Sequence, residues 1–390
     1  MATEETCLYS RRKALRTVGA LGALGIAGCT GDGGDGDSGS DGDSESDGSD
    51  SDGGTSGSTD DGNDSGEDEE SLGVAWVTDT PVGDLGWSWA HDQGRQAVEE
   101  EFDWVETTIQ TEVAPENARR VMDELSRDGY DLIFGCAFGY MDAMIELSEE
   151  YPEVVYEHST GVNLDGDIGI YFGRQYQTRY LVGQAAGLMD DIETIGYVAA
   201  FPIPEVIRGI NAMTLGARSV DKDITVSVRW TNTWFDPPKE TDAAQSLVEA
   251  DVDMMAQHQD SPAALNTAAD NDIWASGYQA PMKEMAGSNY FTSPIWNWEN
   301  YYVPTVEDVR DGSWEPGFEW PGLEEGVVAV DEFGDEVPNS VVEETRDTRA
   351  AIQSGDFEVW ADTAFAGQED WTLYTTMEEF VPGVDGKIPE

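Results

Sequence analysis

From residue 73 onward, short apolar runs alternate with segments whose apolar residues recur every three or four positions. GVAWVT (73–78) reads as a buried strand, and 87–102 follows with helical spacing. WVETTI (104–109), a helix over 115–127, DLIFGCAF (131–138), a helix over 141–150 and EVVYEH (153–158) continue the series. A helix over 176–189 leads into a second series. It runs TIGYVAAF (194–201), a helix over 204–220, ITVSVRWT (224–231), a helix over 239–249, VDMMAQH (252–258), a short helix over 263–269 and DIWASG (272–277). Apolar strands separated by helices predict parallel sheets covered on both faces. Two such series predict an α/β protein of two similar lobes. The expected division is lobe I over 71–192 with about 288–320 returning to it, and lobe II over 193–287 with about 325–355 returning to it. GVVAVDEF (326–333) predicts a strand, followed by a turn and a helix from about Asn339. Residues 356–390 receive no assignment.

The pattern before residue 71 is different. Val18 to Gly28 is a small apolar run of eleven residues, short of the roughly 20 that span a bilayer. Arg11, Arg12, Lys13 and Arg16 precede it and Cys29 follows it. The order of basic, apolar and small residues is that of an export signal. Ser10-Arg11-Arg12 resembles a twin-arginine address, and Ile26-Ala27-Gly28-Cys29 resembles a lipobox. The expectation is a signal over 1–29, a lipid on Cys29, and a protein on the outer face of the cell membrane. Residues 30–70 hold 16 acids, no basic residue and no aromatic. Such a segment lacks the apolar surface to offset ordering entropy, so it is expected to act as an extended, disordered tether. Asn63-Asp64-Ser65 matches a glycosylation sequon within it.

Charge narrows the partners. The chain has 80 acidic and 20 basic residues, a formal net charge of −60, and five lysines. Residues 71–390 alone carry 62 acids and 16 basics. Phosphate binding needs clustered Lys and Arg, so nucleic acid is excluded as a partner. A surface this acidic repels itself in dilute salt. In molar salt the Debye length falls to about 3 Å and the repulsion is screened, which points to a halophile's protein. Cys136 is the one cysteine after residue 29; it lies in an apolar strand and reads as a small buried hydrophobe.

Ligands of doubly wound sheets bind outside the carboxyl ends of the strands. That rule selects loops 79–89, 136–141, 158–161, 201–205, 231–237, 257–262 and 278–281. They are rich in rings: Trp87, Trp89, Phe138, Tyr140, Phe201, Trp234, Phe235 and Tyr278, with Trp296 and Trp298 further on. Any one ring could cap a core. Together they suit a flat ligand held between two walls, with Asp84, Asp260 and Asn297 as candidates for the polar contacts.

Six segments carry a family resemblance. VGDLGWSWAHDQGRQAVEEEF (82–102), YDLIFGCAFGYMDA (130–143), IGYVAAFPIPEVIRGINAMTLGARSV (195–220), WTNTWFDPPKE (230–240), AQHQDSP (256–262) and FTSPIWNW (291–298) occur in order. The chain resembles the basic membrane lipoproteins, the substrate-binding proteins of ABC importers for purine nucleosides and related compounds. The resemblance implies a two-lobed type I periplasmic-binding fold with a ligand between the lobes. It also implies an ABC permease and its ATPase as partners. On it, Asp84 and Trp87 supply an acid and a stacking ring, Phe138 lines the base pocket, and Trp234 or Phe235 opposes it beside Asp236. Many members have Asp where this chain has His158, and another near Tyr278. Carboxylates there would suit ribose hydroxyls, so their absence shifts the expected ligand from a purine nucleoside towards a free nucleobase.

Neither G-x-S-x-G nor H-E-x-x-H occurs. The pairs His91-Asp92 and His258-Asp260 read as polar caps before they read as acid–base or metal sites. The expectation is therefore a monomeric binding protein with no catalytic residue, cofactor or metal. A receptor that reports to a sensor would use the same fold and pocket.

Overall fold

A computed structural model describes residues 71–83, 85–220 and 223–389. The signal, Cys29, the tether and Asp84 lie outside the described residues. The strands, in chain order, are β1 (Leu72–Thr78), β2 (Val105–Gln110), β3 (Leu132–Cys136), β4 (Val155–Ser159), β5 (Gly169–Tyr171), β6 (Thr194–Ala199) and β7 (Thr225–Trp230). They continue with β8 (Met254–His258), β9 (Trp274–Ser276), β10 (Tyr290–Thr292), β11 (Pro294–Trp296), β12 (Gly317–Glu319), β13 (Val328–Val330) and β14 (Val384–Asp385). The helices are α1 (Trp87–Glu101), α2 (Pro115–Arg127), α3 (Met141–Glu150), α4 (Gln175–Leu188), α5 (Pro204–Arg218) and α6 (Pro237–Val248). They continue with α7 (Ala263–Asp270), α8 (Lys283–Ala286), α9 (Glu299–Arg310), α10 (Asn339–Gln353) and α11 (Asp370–Thr375).

Two six-stranded sheets result, ordered β12-β5-β4-β3-β1-β2 and β10-β9-β8-β6-β7-β14, with β11 and β13 in a separate ribbon. Every pairing within the two large sheets is parallel, and β11 pairs antiparallel with β13. Burial explains the apolar runs. LIFGC in β3 and MMAQH in β8 are buried throughout, as parallel strands covered on both faces require. In both sheets the order reverses at the first strand of the series: β1 lies between β3 and β2, and β6 lies between β8 and β7. Those reversals are where doubly wound sheets open a crevice.

The assignment of segments to lobes differs from the expectation in two places. Helix α4, expected with lobe I, packs along α5. The two helices approach so closely that a Cβ at Gly183 would collide with the Met213 carbonyl, and one at Gly216 with that of Tyr180. Strand β10, expected to return to the first sheet, extends the second beside β9. The return to the first sheet is made by β12, which pairs with β5, while α9 packs on α1 and α10 on α4.

Residues 356–390, unassigned from sequence, reach both sheets. Trp371 and Tyr374 pack on Phe318 of β12, each with ring centroids 4.9 Å apart. Arg208 of α5 donates to the carbonyls of Tyr374 (2.7 Å) and Leu373 (3.4 Å). Asn211 clamps the next turn, donating to the Glu379 carbonyl (2.8 Å) and accepting from the Val381 amide (3.0 Å). Strand β14 then pairs with β7 at the edge of the second sheet. Among the described residues, no helix is long and apolar enough to cross a membrane.

Candidate functional site

A cavity of about 370 Å³, part of it open to solvent, lies at the carboxyl ends of the strands. From the first sheet it is lined by Asp79 after β1, Trp87 at the start of α1, Ala137 and Phe138 after β3, and Thr160 after β4. From the second it is lined by Glu205 in α5, Trp234 after β7, His258 and Asp260 at and beyond β8, and Tyr278 and Gln279 after β9. The two sets of loops meet at Gly86: a Cβ there would run into the main chain of Asp260.

Trp87 is fixed from behind. Its indole N–H donates to the Cys136 carbonyl at 2.7 Å. Its ring stands nearly perpendicular to three others: Trp296 at 5.6 Å and 78°, Trp298 at 5.7 Å and 87°, and His91 at 4.1 Å and 88°. Those three form a stack of their own, with Trp298 parallel to both Trp296 and His91 at 4.8 Å and 13°. Offset and edge-to-face contacts of this kind add to area burial. Burial pushes the His91 pKa well below its usual value, so the ring is neutral, and its Nδ1 lies against the Tyr302 hydroxyl.

The polar groups are mostly carboxyls. Burial raises Asp79 to about 6. Burial, followed by the nearby charge of Asp79, pushes Asp260 well above the usual carboxylate range. Gln279 Nε2 donates to Asp260 Oδ1 at 2.9 Å, and Trp296 Nε1 donates to Gln279 Oε1. His258 Nε2 lies 3.1 Å from Glu205 Oε1 and 3.4 Å from the Tyr278 hydroxyl. Burial lowers the His258 pKa. The neutral ring therefore carries its proton on Nε2, towards the carboxylate, and keeps a lone pair on Nδ1, which has no partner. Behind Tyr278, the Arg179 guanidinium lies 4.1 Å from the ring centroid. None of the lining residues is Lys or Arg.

Of the residues picked from sequence, Trp87, Phe138, Trp234, Asp260 and Tyr278 line this one cavity. Four others do not. Phe201 packs against Trp234 at 5.0 Å. Phe235 is half-buried beyond the lining, its carbonyl accepting from Thr233. Trp296 lies behind Trp87. Asn297 is spent on the main chain, donating from its side chain to Gly326 and from its amide to Val327. His158, the departure that weighed on ribose, is fully buried with Nε2 on the Ala137 carbonyl at 2.9 Å; burial lowers its pKa to about 4. Asp79, Thr160, Glu205, His258 and Gln279 were not chosen, although each falls inside a loop that the strand-end rule selects. A backbone signal marks two of them: Thr160 and Gln279 have φ of +67° and +77°, and such strain in non-glycine residues collects at ligand clamps.

Residues 72–361 match the family described as ABC transporter substrate-binding protein PnrA-like. A putative ABC transporter glucose-binding protein of Haloferax volcanii is 49% identical over 320 residues, covering 82% of each chain. A purine-binding protein of Brucella abortus is 37% identical over 335 residues, 83% of this chain and 95% of that one. In structure, an ABC transporter solute-binding protein from Aeropyrum pernix superposes with a TM-score of 0.65 at 18% identity, over 74% of this chain and 92% of that one.

Proposed function

The chain belongs to the PnrA-like family of ABC transporter substrate-binding proteins, and on that premise we propose that it captures a purine base or nucleoside between its lobes. The coarser statement follows from the family: the protein binds a solute on the outward side of an ABC importer, hands it to a permease and its ATPase, and is not an enzyme. The finer reading rests on one observation. Rings from both sets of loops, Trp87 and Phe138 against Trp234 and Tyr278, wall the same cavity, and carboxyl and amide groups stand at its edge. Flat heterocycles gain from stacking on both faces, while their N–H groups suit an acceptor such as Asp79 and their ring nitrogens suit a donor such as a protonated Asp260. We assign Trp87, Phe138, Trp234, Asp260 and Tyr278 to the ligand, with Asp84 as a further contact. Delivery from a monomer, tethered at the membrane by a lipid on Cys29, completes the proposal.

A hexose is the second reading. The observation in its favour is three carboxyls among the lining residues, which would accept from sugar hydroxyls, and the Haloferax relative is named for glucose.

Phe138 separates the two readings. Trp87 is too deeply packed for a clean test, because its removal would open a hole in the ring stack. Phe138 is 39% exposed, so Phe138→Ala should leave the fold unchanged. It should weaken binding of adenine or adenosine by about tenfold, the worth of one ring face. Isothermal calorimetry in molar salt with adenine, adenosine and glucose reads this out. Binding of glucose and of neither purine would replace the first reading with the second.

A further inference from the structure

An apolar cluster in the second lobe gathers side chains of β6, β8, β9 and β10 with those of α6, α7 and α8. Half-buried Leu85 packs against it, although residue 85 follows β1 of the first sheet. The other half-buried side chains on this cluster, Ala243, Val248, Ile273 and Met285, all come from the chain between β6 and β10. The segment that carries Leu85 is anchored in the first lobe at its base. The hydroxyls of Thr80 and Ser88, both buried, lie 2.6 Å apart, and the Thr78 hydroxyl donates to the Thr80 carbonyl at 3.3 Å. Strand β1 and helix α1 are thereby tied on either side of the turn. Leu85 has a φ of +58°, a conformation uncommon outside Gly, Asn and Asp. Such a backbone persists where surrounding contacts over-determine it, and the contact here lies in the other lobe. The next two residues continue across the cleft: Gly86 meets the main chain of Asp260, and Trp87 lines the cavity. Leu85 itself is not among the lining residues.

We propose that Leu85 is a latch: seated in the apolar cluster of the second lobe, it holds the two sets of loops together over a bound solute and slows its release. The proposal rests on solute binding between the lobes and not on which solute is bound. A side chain buried only while the loops meet adds to the population of that arrangement and nothing to the fold of either lobe. Its removal therefore speeds release and leaves entry of the solute unchanged. An apolar contact also suits the solvent that the charge implies. In molar salt the Debye length is about 3 Å, so an ion pair across the lobes would be screened, whereas apolar burial does not depend on charge.

Stopped-flow mixing of the full exported domain in molar salt, with adenine, adenosine and glucose as probes, reads association and dissociation separately. Leu85→Ala should raise the dissociation rate about tenfold, the worth of a partly buried leucine side chain. The association rate and the thermal midpoint of the unliganded protein should stay as in the wild type. Leu85→Met keeps an apolar side chain of similar volume, and its release should be close to the wild type's. A purely structural role would lower the unliganded midpoint of Leu85→Ala and leave its dissociation rate alone, and that result would overturn the proposal. So would release that is equally fast from Leu85→Ala and Leu85→Met. A wild type that takes glucose and neither purine would remove the purine reading, and the same tenfold ratio, measured with glucose, would still support the latch.

Discussion

Gly86→Ser is expected to weaken binding by about ten- to a hundredfold while leaving the unliganded protein as stable as before, or slightly more so. Gly86 is the N-cap of α1 and supplies no side-chain cap; serine is among the best residues for that position. Local stability therefore gains from the substitution. The arrangement in which the two sets of loops meet does not. A Cβ at residue 86 meets the main chain of Asp260, which cannot swing aside as a flexible side chain could. Residue 86 lies between β1 and α1, and residue 260 follows β8, so the collision exists only when the two sets of loops are together. Overpacking of this kind costs about 1–3 kcal/mol. Acting only where those loops meet, that lowers apparent affinity by about ten- to a hundredfold. Calorimetry and thermal unfolding of the same sample check both halves. An affinity equal to the wild type's would mean that the ligand is held without the loops meeting.

Arg208→Met should destabilise the domain by about 3 kcal/mol. The estimate combines two buried carbonyls left without a donor and the loss of a desolvated cation over aromatic faces. Arg208 is 2% exposed. Its guanidinium lies 5.0 Å from the Trp320 ring and 5.1 Å from that of Tyr374, and burial lowers its pKa. Methionine fills a similar volume, so the cost reports on the polar contacts more than on a cavity. Both carbonyls and the Tyr374 ring lie in 362–390, beyond the family match that ends at 361, while Trp320 lies within it. The variant should accordingly release that segment first, seen as proteolytic cleavage after residue 361 at protease levels that spare the wild type. A denaturation midpoint equal to the wild type's would show that Arg208 does not hold the segment.

Much of the architecture is legible in the amino-acid pattern because parallel strands buried on both faces leave an unbroken apolar record. LIFGC and MMAQH could hardly be read otherwise. Short strands leave little record, which is why β10 was expected with the wrong sheet: three residues, YFT, say nothing about which neighbour they pair with. The placement of α4 is hidden for another reason. Its partner is chosen by glycines at a helix crossing, and a glycine in a sequence does not announce what will lie against it. At the site, the strand-end rule found every loop but not every residue. Rings stood out in Trp87, Phe138, Trp234 and Tyr278. Asp79 and Glu205 did not, since in a chain with 80 acids one more carboxyl carries no signal. Trp296 was singled out as a ring; it stands behind Trp87, with its N–H on Gln279. Asn297, chosen as a polar contact, turned out to serve the main chain around Gly326.

On the proposed function, the cavity between the lobes takes a purine. Native mass spectrometry of the exported domain purified from its own cells in high salt, followed by release and identification of the bound small molecule, tests it most directly. A purine base or nucleoside is expected at one per chain. A hexose in its place would contradict it, keeping the fold and the importer and changing the cargo.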